Sequence, residues 1–164
     1  MSQLLPGYFM PVSRKGKPMI ATITLAAVLF NGLLYPEMGT IANAMQKRGQ
    51  HVETLWHDQS TSSCPPFILG HSMGGPAALN QAASCRRAGK PVKGVVTIDP
   101  TGQVGATYYC PRGTRCLNYY DPSHLIGGGA RAVVGATNVK MHGYSHLQLP
   151  SAPQVVKGAL AFTK

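Results

Sequence analysis

The sequence predicts an α/β fold: a reduced, mostly parallel sheet of about five to six strands with helices on both faces. Three observations carry this expectation. Short apolar runs alternate along the chain with segments whose apolar residues recur at helical spacing. Nineteen glycines and thirteen prolines among 164 residues supply the tight turns that join short elements. Apolar residues make up 44% of the chain and charged residues 12%, enough for one buried core and unlike a disordered or solvated-helix sequence.

Residues 1–18 contain Pro6, Gly7, Pro11, Gly16 and Pro18 and read as an irregular arm on a single domain that spans 1–164. The stretch Met19 to Tyr35 follows Arg14, Lys15 and Lys17 and leads to Ala42-Asn43-Ala44, a pattern shared with secretory leaders. A buried parallel strand at about 20–30 is the preferred reading. Thr22, Thr24, Asn31 and Gly32 interrupt the apolar run, which is also shorter than a bilayer span. No transmembrane helix is expected. Glu37 to Arg48 places Met38, Ile41, Ala42 and Met45 at helical spacing, with Gly49 as the stop. His51 to Trp56 alternates as a strand, 57–65 is a polar loop, and 66–70 is a short apolar strand. Pro76 to Ala88 is a helix closed by Gly89. Strands are expected at Val92–Ile98, at Cys116–Tyr120 and, as the last, at Ala132–Val139. Pro150 to Phe162 forms a terminal helix with Val155, Val156 and Leu160 inward.

Fifteen Lys and Arg against five acids give a formal charge of +10, which favours anionic partners such as acidic surfaces or phospholipid. The basic residues fall in short scattered pairs with no recognition helix or RNP-like strand, so no specific nucleic acid is expected. The four cysteines leave the compartment open, with a cytoplasmic setting preferred to a secreted one. Cys110 and Cys116 bracket a loop that a disulfide could close, while Cys64 and Cys85 could equally be buried free thiols. No metal-ligand cluster, Walker loop or dinucleotide fingerprint is present, so neither metal nor cofactor is expected.

Gly70-His71-Ser72-Met73-Gly74-Gly75 lies between the apolar run ending at Gly70 and the helix that follows. A serine on a sharp strand-to-helix turn needs neighbours without side chains, which Gly70 and Gly74 are. The turn lifts the hydroxyl above the sheet edge, and the helix start offers N–H groups to a developing oxyanion. This segment resembles the nucleophile elbow of lipases and esterases of the α/β-hydrolase superfamily, and the strand–helix order extends the likeness from about Ala21 to the C-terminus. The resemblance implies a serine carboxylic-ester hydrolase with a Ser…Asp/Glu…His triad in that order, Ser72 being the nucleophile.

Only Glu37, Glu53, Asp58, Asp99 and Asp121 are acidic, and the first three precede the nucleophile. Asp99 and Asp121 each end a strand and precede a proline. Val-Thr-Ile-Asp-Pro resembles the arrangement of pancreatic-type lipases, so Asp99 is preferred as the acid, Asp121 is the alternative, and the other would be a turn-initiating Asx-Pro. His146, between the last strand and the terminal helix, matches the superfamily's base. His142 is the reserve, His124 comes early, His71 is expected to pack against the elbow, and His51 and His57 have no assigned role. The oxyanion donors implied are the N–H of Met73 and one from the turn after the first strand, at Leu33 or Gly32.

Typical relatives are longer and carry a lid; here 101–115 is the only loop that could form a modest flap. An open site is therefore expected, suited to short or medium acyl esters or to an ester on a polymer or surface. Tyr108, Tyr109, Tyr119, Tyr120 and Leu125 could line an acyl pocket, or serve as packing residues. A thioesterase or acyltransferase would use the same triad, and a non-catalytic basic scaffold is the remaining alternative.

Overall fold

In the computed structural model, which describes residues 24–33, 37–125 and 128–164, the apolar runs become strands of one parallel sheet. The N-terminal arm 1–18 and the start of the strand expected at 20–30 lie outside the described residues. The chain forms β1 (Leu25–Asn31), α1 (Gly39–Gln46), β2 (His51–Trp56), β3 (Phe67–His71), α2 (Gly74–Arg87), β4 (Gly94–Ile98) and β5 (Tyr108–Tyr109). It continues with β6 (Arg115–Tyr120), β7 (Val133–Val134), β8 (Thr137–Lys140) and α3 (Pro153–Phe162). Six strands pair in the order β2-β1-β3-β4-β6-β8, all parallel.

Both faces of this sheet are covered, which is why β3 and β4 are buried at every position. Alternate residues of β1 serve the two layers, as the twofold side-chain period of a strand requires. Ala27 and Leu29 join Met38, Ile41 and Met45 of the α1 segment and Val155 and Ala159 of α3. Val28 and Phe30 join Ile68 and the α2 residues Ala78, Leu79 and Ala82. Burying each such Leu, Ile or Phe contributes about 1.5–3 kcal/mol. Within the described residues, β1 sits between β2 and β3, and Ala42, in the Ala-Asn-Ala sequence, is buried within α1.

Three expectations need correction. The strand expected at Ala132–Val139 is two strands, because Gly135 takes φ +81° and turns the chain. Val133–Val134 pairs with Tyr108–Tyr109 in a separate two-stranded sheet, and Thr137–Lys140 alone joins the main sheet. The terminal helix starts at Pro153, since Ala152 has ψ 131° and breaks the helical path; Pro150 lies in a 3-10 turn, Leu149–Ser151. Cys64 and Cys85 are not free thiols. They form a disulfide with a Cα–Cα distance of 5.6 Å, tying the segment before β3 to α2. Cys110 and Cys116 form the second, so no free cysteine remains. Among the described residues, no helix is long and apolar enough to cross a membrane.

Candidate active site

The C-terminal ends of the parallel strands bring the site together. β3 passes into α2 through Ser72, whose φ is +55°, a left-handed conformation that costs a non-glycine residue about 1–3 kcal/mol. The turn is locked by Ser72 N–H to Ile98 O (3.0 Å) and by Gly75 N–H and Thr101 N–H to Ser72 O (3.0 and 3.1 Å). It closes only with glycines. A Cβ on Gly70 would lie 1.9 Å from Gly74 O, and one on Gly74 would lie 2.3 Å from Phe30 O.

One strand over, β4 ends at Asp99, also left-handed at φ +44° and fully buried. Asp99 Oδ1 accepts the Asp121 N–H at 2.8 Å, and Oδ2 accepts His146 Nδ1–H at 2.9 Å. The structure thus brings the preferred acid and base into contact. The alternatives meet each other elsewhere. Asp121 Oδ1 accepts the Ser123 N–H (2.9 Å) and the Ser123 hydroxyl (2.6 Å), the capped turn of an Asx-Pro. His142 is 71% exposed, with Nδ1 3.5 Å from Asp121 Oδ2. The Ser123 hydroxyl, outweighing a burial effect of opposite sign, holds the Asp121 carboxyl below the usual range.

Three further side chains belong to the site, and none was singled out from sequence. Thr101 Oγ1 lies 3.1 Å from Ser72 Oγ, and this is the serine hydroxyl's hydrogen bond. His124 Nδ1 contacts Asp99 Oδ2, so two imidazoles share one carboxylate oxygen, and His124 Nε2–H donates to Tyr144 O at 2.9 Å. Burial works to lower the His124 pKa, but the hydrogen bond and charge of Asp99 outweigh it and raise it. Glu37 accepts the Gly32 N–H at 3.2 Å and lies 3.8 Å from His71 Nδ1. Burial pushes its carboxyl up, while the nearby His71 and the backbone N–H groups of Glu37 itself and Gly32 prevail and lower it. The sequence carried no signal for His124, because its place follows from the sheet. β4 and β6 are adjacent and end together, so residues just past Tyr120 must lie beside Asp99.

His71 is fully buried, as its expected packing role requires, and its Nε2–H donates to His146 O at 3.0 Å. His57 Nδ1 donates to Gly32 O at 3.2 Å, and Gly32 packs so close to Ser72 that an added Cβ would lie 2.8 Å from the serine Cβ. Of the three N–H groups expected at the oxyanion, that of Gly32 is engaged by Glu37. Those of Met73 and Leu33 have no acceptor among the described residues.

Asp99, His124 and His146 present three donor atoms within 4.8 Å of one another, the one grouping with metal-ligating chemistry among the described residues. The 2.9 Å between Asp99 Oδ2 and His146 Nδ1 is a hydrogen-bond separation. Two ligands on a tetrahedral zinc stand about 3.4 Å apart. The spacing fits protons rather than a cation.

Around the site, Leu33 and Trp56 are exposed and, with His57, Asp58 and Gln59, line an open hollow of about 350 Å³. Tyr108 and Tyr109 line a groove of about 350 Å³ with Pro76, Leu79, Asn80 and Ala83 of α2. Tyr119 and Tyr120 are buried packing residues rather than pocket walls, and Leu125 projects into solvent. The 101–115 loop is tied down by the β5–β7 pairing and the Cys110–Cys116 bond rather than hanging free as a flap.

No family model and no curated protein matches this sequence. Solved structures match it in shape. A structure described for LipS and LipT, two metagenome-derived lipolytic enzymes, superposes with a TM-score of 0.60 at 10% identity, covering 85% of this chain and 94% of that one. RedJ, a thioesterase of the prodiginine pathway of Streptomyces coelicolor, aligns at 10% identity and a TM-score of 0.49 over 94% and 90% of the two chains. The NocB thioesterase domain of the nocardicin cluster aligns at 11% identity and a TM-score of 0.48 over 84% and 92%. At such identities the likeness is one of fold, and the fold is α/β-hydrolase-like.

Proposed function

We propose that this protein is a serine hydrolase of carboxylic esters, working through Ser72, His146 and Asp99 and an acyl-enzyme intermediate. The observation that carries the proposal is the 2.9 Å bond from His146 Nδ1–H to the buried Asp99, beside a left-handed Ser72 on its glycine-locked elbow. With the proton fixed on Nδ1, the His146 Nε2 lone pair is free to take the Ser72 proton as Oγ attacks an ester carbonyl. Asp99 holds that tautomer and stabilises the imidazolium that forms. The tetrahedral oxyanion is received by Met73 N–H at the start of α2 and by Leu33 N–H, each such donor contributing about 2.7–4 kcal/mol to the transition state. For this transfer the Ser72 hydroxyl must exchange Thr101 for His146 Nε2, a tightening that substrate binding commonly brings.

The hollow beside Leu33 begins one residue from Gly32, where an added Cβ would meet Ser72, and is open. Short to medium acyl groups suit it, and the likeness to lipolytic enzymes is consistent with an ester substrate. The +10 charge gives the protein an anionic surface as a further partner, checked by salt-sensitive binding to vesicles of acidic phospholipid. Both disulfides persist in oxidising surroundings, so an extracytoplasmic setting replaces the cytoplasmic preference.

The test is covalent labelling by a fluorophosphonate probe, with wild type labelled and Ser72→Ala unlabelled. Equal labelling of both, or none of the wild type, refutes the proposal. Turnover of nitrophenyl esters against acyl-CoA then separates an esterase from a thioesterase or acyltransferase with the same triad.

A further inference from the structure

We propose that Asp99 is held by two histidines, with His124 as a second, positioning imidazole that carries a proton on both ring nitrogens against the acid. The inference rests on the proposed triad for its catalytic consequence, but its first step is hydrogen-bond bookkeeping alone. His124 Nε2 faces the carbonyl of Tyr144, which only accepts, so Nε2 carries a hydrogen. A neutral imidazole then has a bare lone pair at Nδ1, aimed at Asp99 Oδ2. A lone pair against a carboxylate oxygen is repulsive, and burial of the pair leaves little water to relieve it. One proton between them removes the conflict. With that proton on Nδ1, His124 is an imidazolium and the Asp99–His124 pair is net neutral, whereas an ordinary triad acid carries a full negative charge.

The groups facing His124 leave that proton in place. Asp99 comes from the end of β4, and Asp121 lies at the end of β6 on the segment leading to His124 itself. His146 and the Tyr144 carbonyl come from the segment after β8, the His146 ring centroid being 6.0 Å away. His142 reaches Asp121 rather than His124. Among the described residues two carboxylates therefore favour the proton, and it is opposed by burial and by His146 once that is charged.

The consequence falls on the base. In a plain triad the carboxylate raises the basicity of its histidine. Here the carboxylate charge that supports the His146 imidazolium is already balanced by His124. The enzyme then keeps its activity at more acidic pH. His124→Gln offers an N–H to Asp99 but cannot carry a charge. It returns the full carboxylate charge to His146 and moves the acid limb of kcat/KM upward by about one pH unit, given an interaction over about 6 Å at partial screening.

Two measurements test this. Long-range ¹H–¹⁵N spectra of the wild-type protein should show both His124 ring nitrogens protonated at about pH 7.5, one unit above the ordinary histidine pKa. The second proton should be lost in Asp99→Asn. A single protonated nitrogen on wild-type His124 at that pH overturns the proposal, and this measurement needs no enzymatic activity. The pH dependence of kcat/KM on a soluble ester should show the upward shift in His124→Gln, with His124→Asn as a second uncharged variant. An acid limb unmoved in both, in proteins with wild-type circular dichroism, also overturns it. Failure of fluorophosphonate labelling would instead refute the triad reading, leaving the nitrogen spectra to decide on His124.

Discussion

Replacing Asp99 by asparagine separates the two candidate acids more sharply than any other change. Three donors converge on the Asp99 carboxylate: Asp121 N–H on Oδ1, and His124 and His146 on Oδ2. An amide has one acceptor oxygen, so in either orientation its NH₂ faces at least one N–H. The group is fully buried, and a buried donor left without a partner costs about 1–3 kcal/mol. In a chain of 164 residues each kcal/mol lowers Tm by about 2–4 °C, so Tm should fall by about 2–12 °C. Catalysis should suffer more. Loss of the triad acid releases the His146 tautomer and leaves its imidazolium unsupported, typically about 10⁴-fold in kcat, or about 5.4 kcal/mol of barrier. Asp121→Asn is the control. Its Oδ1 can still accept both Ser123 bonds, and the contact it loses is with an exposed histidine, worth under about 1 kcal/mol. Ester hydrolysis and thermal melts of both variants would be compared. Equal loss of kcat in the two, or Asp99→Asn within tenfold of wild type, refutes the assignment.

Opening the Cys64–Cys85 bond by paired alanine substitution frees a loop of 21-residue separation and should cost about 3 kcal/mol. The six-residue separation of Cys110–Cys116 should cost about 2 kcal/mol, and calorimetry should rank the two in that order. Gly70→Ala should yield no soluble folded protein, because its Cβ would meet the α2 backbone at 1.9 Å. Gly39→Ala, with nothing within 4 Å, should raise Tm slightly by lowering the entropy of the unfolded chain. Melts across pH should show a maximum. The raised pKa of His124 gives stability that is complete below about pH 6.5 and is lost as pH rises through its folded value. The lowered pKa values of Asp121 and Glu37 give stability that is present above about pH 4 and is lost as pH falls through theirs. A Tm flat from mildly acidic to mildly alkaline pH would contradict the His124 contribution.

The elbow was readable from residues alone because it is local. A left-handed serine between glycines requires only five or six consecutive residues, and strand before and helix after follow from periodicity. The α/β class was legible for the same reason, since strands buried on both faces read as continuous apolar runs. The scarcity of acids narrowed the acid of the proposed triad to Asp99 or Asp121 by counting. Choosing between them needed the sheet. Both end strands, both precede proline, and only the pairing of β4 with β6 shows that one carboxylate turns inward to His146 while the other caps its own turn. The break at Gly135, the Cys64–Cys85 bond, the engagement of Gly32 by Glu37 and the approach of His124 to Asp99 likewise join residues distant in sequence or change the path between them. Local chemistry is written in adjacent residues. Which side chains share a carboxylate depends on which strands lie side by side, and that is set by packing over the whole chain.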